Sequence, residues 1–166
     1  MNRMKTASIH ELKNTLQHLS QPELIKAILR LARYKKENKE LLTYLLYESQ
    51  DEKAYITSIQ NEIDTQFTEI NKSHIYFAKK SIRKILKFTT TSIRYSGRKE
   101  TEVELLIHFC KKLKYSGIPL YQSVALSNLY QRQIQKISRS LKSLHEDLQY
   151  DYGEELKPLL KIRPEK

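Results

Sequence analysis

Only one cysteine, Cys110, three glycines, four prolines and no tryptophan occur in this chain of 166 residues. A single thiol excludes an internal disulfide framework and fits a reducing compartment. So few turn formers argue against β-sandwiches and barrels, which must reverse direction often. Three isolated glycines leave no glycine-rich loop to cradle phosphate, and no His-Glu-x-x-His pattern is present. The longest apolar run, Leu41 to Tyr47, falls far short of the roughly 20 residues that a membrane-spanning helix needs. The opening MNRMKTASIHELK has basic residues but no apolar stretch of the secretory kind. A cytoplasmic protein is therefore expected. One further absence is local: no acidic residue occurs from Ser73 to Lys99.

What is present is the composition of a globular protein, 39% hydrophobic and 30% charged. At this length one domain can bury about 70% of its unfolded surface. The net charge of +11 has two explanations. It can attract a phosphate-bearing partner, or it can accompany the Lys, Ile, Asn and Tyr enrichment that AT-rich coding produces.

Helical periodicity runs through the whole chain. Ser8 and Glu11 have capping-box spacing, followed by Ile9, Leu12, Leu16 and Leu19 on one stripe. Ser20, Pro22 and Glu23 open a second helix reaching about Tyr34. Its Leu24, Ile25, Ala27, Ile28, Leu29, Leu31 and Ala32 cover most of the circumference, which predicts deep burial. A third helix is expected from about Glu37 to Glu48, with Leu41, Leu42, Leu45 and Leu46 inward. A fourth, from about Asp51 to Ile70, carries the stripe Ile56, Ile59, Ile63, Phe67 and Ile70.

The stretch from Ser73 to Tyr95 reads as the central helix, the element around which the others should pack. Ile75, Ala78, Ile82, Ile85, Leu86 and Ile93 share one face, and Phe77 and Phe88 form a second apolar stripe. Tyr95-Ser96-Gly97 and Tyr115-Ser116-Gly117 end this helix and the next with a glycine suited to a left-handed C′ position. Between them Val103, Leu106, Cys110 and Leu113 should point inward, making Cys110 a core residue rather than a nucleophile. A last helix of about Tyr121 to Tyr152 is the longest expected. Its seam of Tyr130, Ile134, Ile137, Leu141, Leu144 and Leu148 fits either a dimerising coiled coil or packing within the chain.

The predicted architecture is thus all-α, a single-domain multi-helix bundle of about seven helices with a long C-terminal helix. The bundle domain is placed at residues 1–152, followed by a loosely docked tail at 153–166.

Residues 73–99 carry eight cations and no acid. Lys80, Arg83, Lys84, Lys87, Arg94, Arg98 and Lys99, with Arg132, Lys136 and Arg139 on the last helix, are the candidate nucleic-acid-binding residues. If the two basic stripes lay side by side they would form a groove able to neutralise several phosphates, with Tyr76 and Tyr95 near enough to stack on bases. The alternative is that both stripes are ordinary solvated faces. Glu146, Asp147, Asp151, Glu154 and Glu155 would sit near the C-terminus of the last helix, against its dipole. They are expected to pair with cations of this chain, the central helix included. No second ligating element accompanies His145, Asp147 and Asp151, so no metal site and no cofactor are expected. His108 and Glu104 read as a surface pair.

The opening ELKNTLQHLSQPELIKAILRLA, with LLIHFCKKL and LHEDLQYDY, resembles small all-helical bacterial hypothetical proteins, a resemblance that implies no particular chemistry. The opening is also faintly similar to a SAP-type DNA-binding helix pair, without that motif's glycine-containing connection. Arg139 with His145, and Arg3 with His10, have the spacing seen in HEPN ribonucleases, although Ser140 stands where that family usually has a different polar residue. The expectation is a non-catalytic interaction or scaffold protein with an unknown protein partner. Nucleic-acid binding is the alternative, and an HEPN-like ribonuclease the third reading.

Overall fold

The computed structural model describes residues 4–162. Among them are eight α-helices and no strand: α1 (Ile9–Leu16), α2 (Gln21–Tyr34), α3 (Lys36–Thr43), α4 (Glu52–Thr68), α5 (Ile75–Ser96), α6 (Lys99–Lys114), α7 (Val124–Leu141) and α8 (Glu146–Leu156). The all-helical expectation holds. No helix among the described residues is long and apolar enough to cross a membrane. Rather than one bundle, the chain forms two compact units that divide between Leu46 and Tyr47.

The N-terminal unit holds α1 to α3. Its starts are set locally: the Ser8 amide and hydroxyl donate to the Glu11 carboxylate at 2.7 and 2.8 Å, and those of Ser20 to Glu23 at 2.8 and 2.7 Å. Lys35 adopts an extended backbone that separates α2 from α3, and the Asn38 side chain donates to the Leu31 carbonyl at 2.8 Å, closing the end of α2. The deep burial expected of α2 is overturned, since no residue of α1, α2 or α3 is buried. The reason is size. Three helices of 8, 14 and 8 residues supply too few neighbours to enclose one of their own.

The third helix also differs in register. A π-helical turn, Tyr44–Glu48, replaces its last α-helical turn. Along this wider turn Leu45 and Leu46 are exposed while Tyr44 is buried, and Leu41 in the α-helical part before it is exposed as well.

The second unit contains the hydrophobic core, drawn from Ile56 to Leu159. Its organising element is α6, not α5. The run Leu105-Leu106-Ile107-His108-Phe109-Cys110 is apolar on nearly every side, and α4, α5, α7 and α8 all pack against it. Val103, Leu106, Cys110 and Leu113 point inward as expected, and Leu105, Ile107 and Phe109 are buried as well. The helix from Ile75 packs on α4 and α6 through Ala78, Ile82, Ile85 and Ile93, while its second apolar stripe stays incomplete because Phe77 is half exposed. Phe88 is partly buried against the core. In α4, Ile56, Ile63 and Phe67 are buried in the predicted stripe, with Ile70 buried just beyond the helix end, and Tyr55 joins them with its hydroxyl donating to the Ser92 carbonyl at 2.9 Å. Gly97 and Gly117 have φ of 68° and 80°, the left-handed conformation expected of them.

The single long C-terminal helix is two helices. After Leu141 the chain turns through Ser143 and Leu144, and His145 becomes the N-cap of α8, its Nδ1 accepting from the Asp147 amide at 3.3 Å. The Gln149 amide donates to the Leu144 carbonyl at 2.7 Å and to that of Lys142 at 3.4 Å, so the carbonyls left open at the break are satisfied. Tyr130, Ile134 and Ile137 of the heptad seam are buried inside this unit, which places the seam in intramolecular packing.

The acidic residues change meaning with the break. Glu146 and Asp147 occupy the first turn of α8, where the helix dipole favours them. Up to Ile162 the chain after Gly153 is docked rather than loose, and residues 163–166 of the expected tail lie outside the described residues. Gly153 lies within α8, Leu156 and Leu159 are buried, and the Tyr130 hydroxyl donates to the Leu159 carbonyl at 2.7 Å. The Lys114 ammonium donates to the Pro158 carbonyl.

Candidate functional site

The ten candidate cations divide into two sets. Lys80, Arg83, Lys84, Lys87 and Arg94 lie on the exposed face of α5, opposite its buried stripe, and none makes an ion pair among the described residues. Arg132 and Arg139 are likewise exposed on α7. Arg98, Lys99 and Lys136 are engaged internally. Arg98 Nε lies 3.7 Å from Glu52, a carboxylate that also accepts from the hydroxyls of Thr101, at 2.5 Å, and Ser96. Lys99 and Lys136 each approach the Glu102 carboxylate to 3.0 Å.

Glu102 is 6% exposed, and its third partner is the buried Ser140 hydroxyl, which donates at 2.6 Å. Burial pushes its carboxyl upward, but the hydrogen bonds from Ser140, Lys99 and Lys136 outweigh that and hold it down at about 2. This lock joins α6 to α7. α5 and α7 each pack chiefly on α6 rather than on each other. A buried glutamate on α6 therefore consumes part of the expected phosphate site. The acidic residues of α8 do not. Glu155 pairs with Lys111 of α6 and Glu154 with Lys157, so the expected pairing within the chain occurs for these two of the five acidic residues, and away from α5.

A cleft of about 180 Å³ lies between α4, α6 and α8, lined by Gln60, Glu104, His108, Lys111, Tyr152 and Glu155. His108 does not pair with Glu104. Its Nε2 lies 2.6 Å from Asp64 across on α4, and Lys112 holds the other oxygen of Asp64 at 2.9 Å. Burial works to raise the Asp64 carboxyl, but the bonds from Lys112 and His108 leave it lowered. Tyr152 donates to Glu104 at 3.1 Å; burial first, then the neighbouring carboxylates, push its phenol upward. Donors and acceptors in this cluster are spent on one another, and the arrangement staples three helices.

Cys110 is fully buried and burial pushes its thiol far upward, so no thiolate forms there at neutral pH. Arg139 is exposed near the end of α7. His145, one turn beyond, uses Nδ1 as a helix cap, and Ser140 is committed to Glu102. Arg3, the partner in the other arginine-histidine spacing, lies outside the described residues. No group of three or more His, Cys, Asp or Glu side chains among the described residues could hold a metal ion.

A second surface escaped the sequence reading because its residues read as core. On α2, Pro22, Ile25 and Leu29 floor a shallow groove bordered by Lys26 and Arg33, and a second groove holds Ala27, Leu31 and Tyr34 beside Arg30 and Arg33. Ile25, Leu29 and Leu31 are 51%, 44% and 62% exposed. At 100° per residue Lys26, Arg30 and Arg33 form a ridge about 60° wide between the two apolar strips. No protein-family model matches the chain, and no curated protein or solved structure is significantly similar to it.

Proposed function

We propose that the protein is a non-catalytic interaction protein whose N-terminal unit docks an acidic amphipathic helix of a partner protein. The observation carrying this reading is that α1 to α3 bury no residue yet display large aliphatic side chains. Ile25 and Leu29, 51% and 44% exposed, lie on the floor of one groove as an aliphatic surface that a partner helix can cover. The chemistry of the occupant follows from the ridge. Lys26, Arg30 and Arg33 make no ion pair among the described residues, so a helix bearing carboxylates beside its apolar positions would meet charge with charge while filling the groove floored by Pro22, Ile25 and Leu29.

A photo-crosslinking residue at Leu29, in the full chain in its native cell extract, tests this. The expected product joins Leu29 to an acidic amphipathic helix of another protein. A synthetic peptide of that helix should then bind the purified chain and lose affinity at least tenfold to the double variant Arg30→Glu, Arg33→Glu. Crosslinks to a second copy of this chain, to lipid, or at no higher yield than from an exposed control such as Lys5, would overturn the proposal.

A further inference from the structure

Independently of the docking unit, we propose that the outer face of α5 is a binding track for single-stranded nucleic acid, with Lys80, Arg83, Lys84, Lys87 and Arg94 on phosphates and Tyr76 as a base-stacking platform. These six residues fall within an arc of about 100°, centred opposite the buried Ala78, Ile82, Ile85 and Ile93. From Tyr76 to Arg94 the track is about 27 Å long at 1.5 Å per residue. That corresponds to about eight steps of 3.4 Å along one strand, within the 4 to 16 nucleotides that single-strand sites cover.

Three features single out this face. All five cations are exposed without an ion pair among the described residues, whereas Arg98, Lys99 and Lys136 are held by Glu52 and Glu102. No acidic residue lies on α5, and Glu154 and Glu155 of α8 pair with Lys157 and Lys111. Tyr76 is 61% exposed at the start of the track, its ring held by an edge contact to Phe77 with centroids 5.5 Å apart.

An anionic membrane fits less well. The aliphatic face of α5 is buried against α4 and α6, and the exposed face offers no aliphatic side chain to enter the lipid boundary. A duplex fits less well because a single aromatic platform has unstacked bases to meet only on a single strand.

Fluorescence anisotropy of a labelled 20-nucleotide oligo(dT), titrated with the full chain from 50 to 200 mM salt, tests the assignment. Five phosphate contacts at about 0.7 each predict a log-log slope near −3.5, which is roughly a hundredfold loss of affinity across that range. The triple variant Arg83→Gln, Lys84→Gln, Lys87→Gln should flatten the slope by about 2. Tyr76→Leu should weaken binding at least about fivefold with the slope unchanged. Neutralising Lys26, Arg30 and Arg33 should leave binding intact, separating this site from the docking unit. All these positions are exposed, and an unchanged circular dichroism spectrum verifies folding. No binding at 50 mM, an undiminished triple variant, tighter binding to a duplex of the same length, or binding to phosphatidylserine vesicles that the oligonucleotide does not displace would each overturn the proposal.

Discussion

Replacing Glu102 by glutamine isolates the lock between α6 and α7. The wild-type carboxylate accepts from Ser140 at 2.6 Å and from Lys99 and Lys136 at 3.0 Å, and is held at about 2 instead of the usual 4.5. A difference of that size is worth at most about 3 kcal/mol at 1.36 kcal/mol per unit. The lysine side chains are 61% and 38% exposed, so water screens part of it. About 2 kcal/mol is the expected contribution. Because the folded-state value is the lower one, this stability is fully present above about pH 4.5 and is lost as pH falls toward about 2. The variant should therefore melt roughly 4 to 8 °C lower than wild type at pH 7. The two melting temperatures should converge as pH is lowered from 4.5 to 2. Thermal unfolding followed by circular dichroism at half-unit pH intervals measures both effects. A variant within about 1 °C of wild type at pH 7, or a gap independent of pH below 4.5, would refute the assignment of Glu102 as the coupled group.

Two further predictions concern the core and a helix end. Phe109→Ala removes a fully buried ring that packs at 5.7 Å from Phe67, and should cost about 3 to 5 kcal/mol, read as a lower urea midpoint of the second unit. A loss below 1 kcal/mol would contradict the placement of α6 at the centre. Gly97→Ala places a side chain at φ 68° with no heavy atom within 4 Å of the new Cβ, so the cost should be conformational only, about 1 to 2 kcal/mol in the same assay. No measurable loss would mean that the end of α5 does not hold the left-handed turn.

Most of what is local was legible in the sequence. The capping boxes at Ser8 and Ser20, the stripe of α4, and the two glycine stops are decided within a few residues by hydrogen bonds and backbone sterics, so spacing alone reveals them. The bend at His145 was legible in principle, since Glu146 and Asp147 mark a helix start. It was hidden by the regular 4, 3, 4, 3, 4 apolar spacing, which continues across a short turn when both helices face one core. The charged face of α5 was legible as a pattern, although which of its neighbours are engaged was not.

What only the tertiary structure decided is which apolar faces find a partner and which charges do. Periodicity shows that α2 is greasy and α5 is basic, but burial depends on how many other elements reach a helix. The N-terminal unit has too few helices to cover α2, whereas α6 meets four neighbours and is enclosed. Likewise Lys99 and Lys136 are separated by 37 positions, and only packing α7 onto α6 brings both to Glu102. Contacts within one helix are set by the chain itself, while contacts between helices depend on the sum of weak, non-directional burial over the whole molecule.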